Sequence, residues 1–342
     1  MKKFIIATAI GCSLLGANAA SARENIRIVG SSTVYPFVTA VAEEFGKRGA
    51  FQTPIVESTG TGGGFKLFCE GVGAEFSDAV NASRPIKDSE KEQCKKGGVS
   101  SYIEIPLGFD GIAIASSKKS WKNPLTSKQL FLALALEVPQ NGKLVKNPNQ
   151  TWNQIDPAFP AEKIEVYGPS PTSGTRDSFV ELVMEKACSS FPEFNNVYSK
   201  SEERKKACGR LREDGGYIDS GENDNLIVQK IVNNPKALGI FGFEYLEQNR
   251  ASIQAHTVDG IAPDFDTIAD GRYPISRRLY VYAKTAHIQT IKGFKEFLDE
   301  LLSERALGDT GYLALKGLIP LPEEERKAVR ARVLGAIERE AK

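Results

Sequence analysis

Histidine is nearly missing from this 342-residue chain, which has two. His256 and His287 sit in no catalytic pattern, and no Gly-x-Ser-x-Gly turn occurs. A serine hydrolase built on this sequence would lack an evident base. No Cys-x-x-Cys spacing is present, and with so few imidazoles neither a metal nor a cofactor is expected. Net charge is missing too, since 44 Lys and Arg against 43 Asp and Glu leave +1. A chain so close to neutral has no long-range field for nucleic acid, and any anion must be held by local geometry. After the first fifteen residues no apolar run is long enough to span a bilayer. No period of repeat length is found.

The start has the pattern of an export signal. Lys2 and Lys3 precede an apolar run over residues 4–15, and Ala20-Ser21-Ala22 is a small-x-small cleavage site. Residues 1–22 are therefore expected to be removed, leaving an exported chain of about −1 net charge that begins at Arg23. The rival reading makes Cys12 a lipidated cysteine, which would cut the apolar run short. Four cysteines remain: Cys69, Cys94, Cys188 and Cys208. An even count in an oxidising compartment points to two disulfides, with three pairings open. Cys69–Cys94 and Cys188–Cys208 are favoured, because each closes a local loop.

Short β-type runs alternate with amphipathic helices, which implies an α/β fold with a mainly parallel sheet. Strands are expected at residues 26–29, 53–57, 79–82, 162–167, 238–243 and 279–283. Residues 102–107 and 111–115 read as two apolar runs separated by Gly108-Phe109-Asp110. Helices are expected after Tyr35, after the glycine run at 60–64, and at 87–96, 127–135, 179–187, 226–232, 291–302 and 323–342. Residues 136–160, rich in Asn, Gln, Pro and Gly, read as a long excursion, and 251–274 as a linker with turns.

Three of the strand-to-helix connections carry small hydroxyls and glycine: Gly30-Ser31-Ser32-Thr33, Ser58-Thr59-Gly60-Thr61-Gly62-Gly63-Gly64 and Ser173-Gly174-Thr175-Arg176. A helix start offers unpaired N–H groups and a positive dipole end, which suit an anion. A helix cap alone would explain one of these loops, at about 1 kcal/mol. The second loop is no NTPase phosphate loop, since no Gly-Lys-Ser/Thr follows, and Phe65 breaks the dinucleotide spacing. In the third, Arg176 offers a planar fork for two anion oxygens, with Asp177 either holding it or only favouring the helix dipole; a capped helix with a surface Arg–Asp pair is the alternative. Arg84, fixed at a strand end by Pro85, is a second candidate cation, although a lone strand-end arginine is more often surface. Asp110 would repel a full dianion such as sulfate and accept the proton of hydrogen phosphate; an ordinary turn aspartate is the alternative. If the loops converge, two lobes face each other across a cleft, with crossings near 108–111 and 257–260.

The blocks Gly30-Ser31-Ser32-Thr33-Val34-Tyr35-Pro36, Ser58 to Phe65, Asn81-Ala82-Ser83-Arg84-Pro85 and Ser173-Gly174-Thr175-Arg176-Asp177 resemble the periplasmic phosphate-binding proteins of ABC uptake systems. The likeness runs in order from Ile26 to Tyr282. It implies a type II periplasmic-binding-protein-like fold with discontinuous lobes joined by a hinge: residues 23–108 and 260–342 in lobe I, 109–259 in lobe II. It implies one phosphate between the lobes, donors from Ser32, Thr33, the Val34 N–H, Thr61, Ser173, Gly174 and Thr175, and no chemistry on the ligand. It also implies delivery to inner-membrane ABC permease subunits and their ATPase by a periplasmic receptor expected to be monomeric. One branch of the family has an acid where Arg84 stands and an Arg where Pro169 stands. The chain thus resembles the Ala-Ser-Arg/Ser-Gly-Thr-Arg variety, and Asp110 is the candidate proton acceptor. Rival readings are a receptor for sulfate, molybdate or a phosphonate, an exported serine hydrolase or phosphatase using Ser32 or Ser173, and a sensor or adhesion module.

Overall fold

The computed structural model describes Arg23, 25–221 and 223–340. The export signal at 1–22 and Cys12 lie outside the described residues. Among those residues no helix is long and apolar enough to cross a membrane.

The N-terminal half of the sheet follows the expected alternation. Strand β1 (Arg27–Gly30) leads into helix α1 (Tyr35–Lys47), and β2 (Ile55–Ser58) into α2 (Thr61–Phe68). Strand β3 (Ala79–Ala82) leads into α3 (Asp88–Lys96). β1 pairs in parallel with both β2 and β3. Helix α1 buries Phe37, Val38, Val41, Ala42 and Phe45, an i, i+3/i+4 stripe that fits one face of a helix. Phe65 and Phe68 of α2 pack in a second cluster with Val29, Val80 and Tyr282.

The centre departs from expectation. Gly108-Phe109-Asp110 does not interrupt the chain: β4 runs unbroken over Tyr102–Ser117. Gly108 is there for close approach, since a β-carbon on it would lie 2.4 Å from the Ile319 carbonyl oxygen. That oxygen belongs to β12 (Ile319–Pro320), which pairs with Phe109 and Gly108. β11 (Ser276–Lys284) begins earlier than its apolar core and pairs antiparallel with β3 and with β4. The first part of β4 faces β11, and its last part, from Ile112, faces β9 (Leu238–Gly242).

β7 (Val166–Gly168) lies parallel to β9 and to β8 (Tyr217–Asp219). The full order is β2-β1-β3-β11-β4-β9-β7-β8. Parallel pairs therefore flank an antiparallel centre, which corrects the expected mainly parallel sheet. The reason is that β11 and β4, the two strands that join the halves, each run against their neighbours. β10 (Ile253–Ala255) adds to β4 from within the expected linker. Residues 136–160 form a hairpin of β5 (Glu137–Gln140) and β6 (Lys143–Lys146), turned at Asn141-Gly142, both with positive φ. Buried Trp152 then anchors the return.

Both favoured disulfides are formed. Cys69–Cys94 joins α2 to α3, and Cys188–Cys208 joins the third loop's helix to the helix Ser201–Cys208. The C-terminal helix Glu323–Glu340 buries Val329, Val333 and Ile337.

Candidate functional site

In open parallel sheets, ligands bind beyond the carboxyl ends of the strands. β1, β2 and β3 end at Gly30, Ser58 and Ala82, and the loops that follow them share one cleft of about 660 Å³. Ser31, Ser32, Thr33, Thr61, Ser83 and Arg84 all line it. Ser83 and Thr61 interlock: the hydroxyls are 3.0 Å apart, and the Ser83 N–H donates to the Thr61 Oγ1 at 3.2 Å. Ser31 is buried and its Oγ accepts from the Val34 N–H at 3.4 Å. Gly60 and Gly62 present open backbone to the cleft, whereas Gly64 packs so tightly on Gly30 that a β-carbon would lie 2.5 Å from the Gly30 Cα.

From the other half, β7 ends at Gly168 and the chain reaches the helix start at Ser173. Thr126 caps α4 (Ser127–Leu134), and Ser173 likewise caps its own helix, α5 (Gly174–Phe179), accepting from the Thr175 N–H at 3.2 Å. α5 continues through a π-helical stretch, Val180–Glu185, to Cys188. Gly174 lies against the first loop: a β-carbon there would come within 2.8 Å of Thr33 Cα and 3.1 Å of the Ser32 carbonyl oxygen. The first and third loops, 141 residues apart in sequence, thus meet backbone to backbone, with Thr33 Oγ1 donating to the Gly174 carbonyl at 3.4 Å.

Successive residues of a helix point about 100° apart, so two neighbours in α5 can share a broad face while the residue before them points away. Asp177 and Ser178 face the first loop. Ser32 Oγ donates to Asp177, and Ser178 Oγ lies 3.3 Å from Thr33 Oγ1 and donates to Asp110 at 2.7 Å. Arg176 faces away: its guanidinium stacks on the Tyr217 ring at 4.8 Å and donates to the Pro169 carbonyl at 3.4 Å. Asp177 therefore does not hold Arg176, and the Arg176 fork points away from the cleft, contrary to the placement expected of it. Burial pushes the Tyr217 phenol up to about 12, against the pull of Arg176, so it stays a neutral donor to Pro169. Ser173 and Thr175 flank the contact at Gly174 without lining the cleft.

Arg84 lines the cleft with its charge engaged, forming two hydrogen bonds of 2.8 and 2.9 Å to Glu90. Burial raises the Glu90 pKa, but the Arg84 and Lys87 hydrogen bonds outweigh it and leave the carboxyl below its ordinary value. The far wall carries Glu181, Glu185, Glu202 and Lys205. Burial holds Glu185 above the ordinary range, with Lys205 at 3.5 Å opposing it. Behind Asp110, burial pushes Asp224 up to about 6 and Glu244 up to about 7, and the Asp110 charge adds to both.

Sequence reasoning missed Ser178 and Arg277. Ser178 is one turn beyond Gly174, and Arg277 opposes Asp110 across the β11–β4 ladder. The only legible signal was the Arg277-Arg278 pair just before the apolar part of β11; the register that aims it was not readable. Neither histidine reaches the cleft: His256 bonds to Asn123 and Ser116, and His287 to Asp78 and Gly73. Among the described residues no group of three or more His, Cys, Asp or Glu is placed to hold a metal ion.

Comparison with known proteins places these features in a wider group. The family model of the PBP superfamily domain matches residues 16–305. Protein SphX of Synechocystis is 35% identical over 309 residues, covering 88% of this chain and 80% of that protein. The phosphate-binding protein PstS of Staphylococcus saprophyticus is 31% identical over 333 residues, covering 92% and 91%. The crystal structure of a possible phosphate binding protein from Planctomyces limnophilus superposes with a TM-score of 0.74 at 29% identity, covering 92% and 98%.

Proposed function

This chain belongs to the PBP superfamily, and from that premise we propose that it is a receptor that closes over one inorganic phosphate and delivers it for import by an ABC transporter. The observation that carries the reading is the backbone contact of Gly174 with Ser32 and Thr33, because it brings the anion-suited starts of α1 and α5 together at the edge of one cleft. From lobe I, Ser32, Thr33, the Val34 N–H, Thr61 and Arg84 supply donors. From lobe II, Ser173, Gly174 and Thr175, which flank the cleft beside the first loop, turn onto the anion as it binds and supply the rest, and Asp110 accepts the phosphate proton. Arg176 is left out because its guanidinium lies on Tyr217. A hydrogen bond to a charged group contributes about 1.5–3 kcal/mol. Six or more, less desolvation and closure, reach the roughly 8 kcal/mol of a micromolar complex. The ligand leaves unchanged, so the protein is a carrier and not an enzyme.

In this reading the signal ends near Ala22, the mature protein is periplasmic and monomeric, and its partners are the permease subunits with their ATPase. Lobe I comprises residues 23–108 and the chain's end, lobe II the stretch from 109. Pairing of Val258 with Leu125, and the Tyr273 hydroxyl donating to the Ile112 carbonyl at 2.8 Å, favour a return to lobe I near Ile275, later than 260.

Calorimetric titration of the mature protein with phosphate and with sulfate, each at pH 6 and 8, tests the function. Micromolar or tighter phosphate binding with weak sulfate binding at both pH values is expected. Preference for sulfate or molybdate would change the ligand, and turnover of a chromogenic phosphate ester would revive the hydrolase.

A further inference from the structure

Resting on the phosphate reading, we propose that Arg277 is a positioning residue that ties the two lobes together behind the anion and compensates the carboxylates facing it. Arg277 stands on β11 at the strand crossing between the halves, opposite Asp110. Its side chain is 7% exposed. One terminal nitrogen donates to Glu181 Oε2 at 2.6 Å, and the other donates to both Thr33 Oγ1 and Ser178 Oγ. Its Nε faces Asp110 Oδ2 at 3.5 Å and has no hydrogen-bond partner. One guanidinium therefore holds the first loop through Thr33, the third loop's helix through Ser178 and Glu181, and the crossing strand through Asp110.

The charge matters as much as the geometry. Asp110 and Glu181 would repel a dianion in this partly buried region if they stood alone. A planar, permanently charged fork compensates both while reaching three elements, which a lysine cannot do. Ser178 relays the contact: its Oγ accepts a hydrogen bond from Arg277 and donates one to Asp110. The arginine thereby orients the carboxylate proposed to accept the phosphate proton without touching the ligand.

The test compares the full mature wild type with Arg277→Lys, Arg277→Gln and Ser178→Ala. Phosphate titration gives affinity, and small-angle scattering of the ligand-free protein gives the radius of gyration. Arg277→Lys keeps the charge and loses the fork, so affinity should fall about tenfold; Arg277→Gln loses both and should fall about 100-fold. Ser178→Ala should fall about fivefold, and Arg277→Gln should have a larger ligand-free radius than wild type. Variants within twofold of wild type in affinity, with an unchanged radius, would overturn the proposal. If Arg277→Gln does not fold, Arg277→Lys and Ser178→Ala decide by the same affinity criterion. If the wild type binds no phosphate, the function fails separately, and the ligand-free radius of Arg277→Gln still decides whether the arginine ties the lobes.

Discussion

Gly174→Ala perturbs the contact on which the closed cleft depends. The new β-carbon would lie 2.8 Å from Thr33 Cα, against 3.4 Å where ordinary contact begins, so the loops must part by about 0.6 Å. The obstructing atoms are backbone, which no side-chain rotation relieves. Within its own lobe the change is favourable, since Gly174 is helical and alanine gains up to about 1 kcal/mol there. The cost therefore falls on closure. A separation of 0.6 Å stretches a 2.8 Å charge-assisted bond past normal range, forfeiting about 1.5–3 kcal/mol per bond. Loss of one such bond weakens binding roughly ten- to 100-fold. Phosphate calorimetry with a thermal melt of the ligand-free protein measures both sides. Affinity within threefold of wild type, together with a markedly lower melting temperature, would refute the reasoning by locating the clash inside one lobe.

Arg176→Ala should leave phosphate affinity within twofold of wild type, because its guanidinium packs on Tyr217; calorimetry checks this. Asp110→Asn should weaken phosphate about 30-fold and improve competition by sulfate, since an amide carries no charge and accepts the proton poorly. Glu244 titrates near 7 in the folded protein, above its ordinary 4.5, so folding takes up a proton between those values and stability falls as pH rises through that window. Glu244→Gln should thus be more stable than wild type by about 2–3 kcal/mol at pH 8 and equal to it near pH 4.5; a pH-independent difference in denaturant unfolding would contradict this. Replacing Cys188 and Cys208 by serine should cost about 3 kcal/mol in the same assay.

Much of the architecture was legible because local signals agreed with it. The stripe in α1 and the hydroxyl loops after β1 and β2 marked their own positions. The pairing of Cys69 with Cys94, and of Cys188 with Cys208, followed from short loops. What failed depended on long-range register. Gly108 looks like a breaker until β12, more than 200 residues on, is seen to need the space. Arg176 and Asp177 look equivalent in a loop, yet the helix turn sends one to Tyr217 and the other to Ser32. Arg277 is aimed by a ladder between β4 and β11, and no local pattern reports that pairing.

The most direct measurement is a crystal structure of the mature protein soaked in phosphate. The account predicts one tetrahedral anion contacted by Ser32 and Thr33 from one lobe and by the Gly174 N–H from the other. An anion held by one lobe alone, or seated elsewhere on the surface, would contradict it.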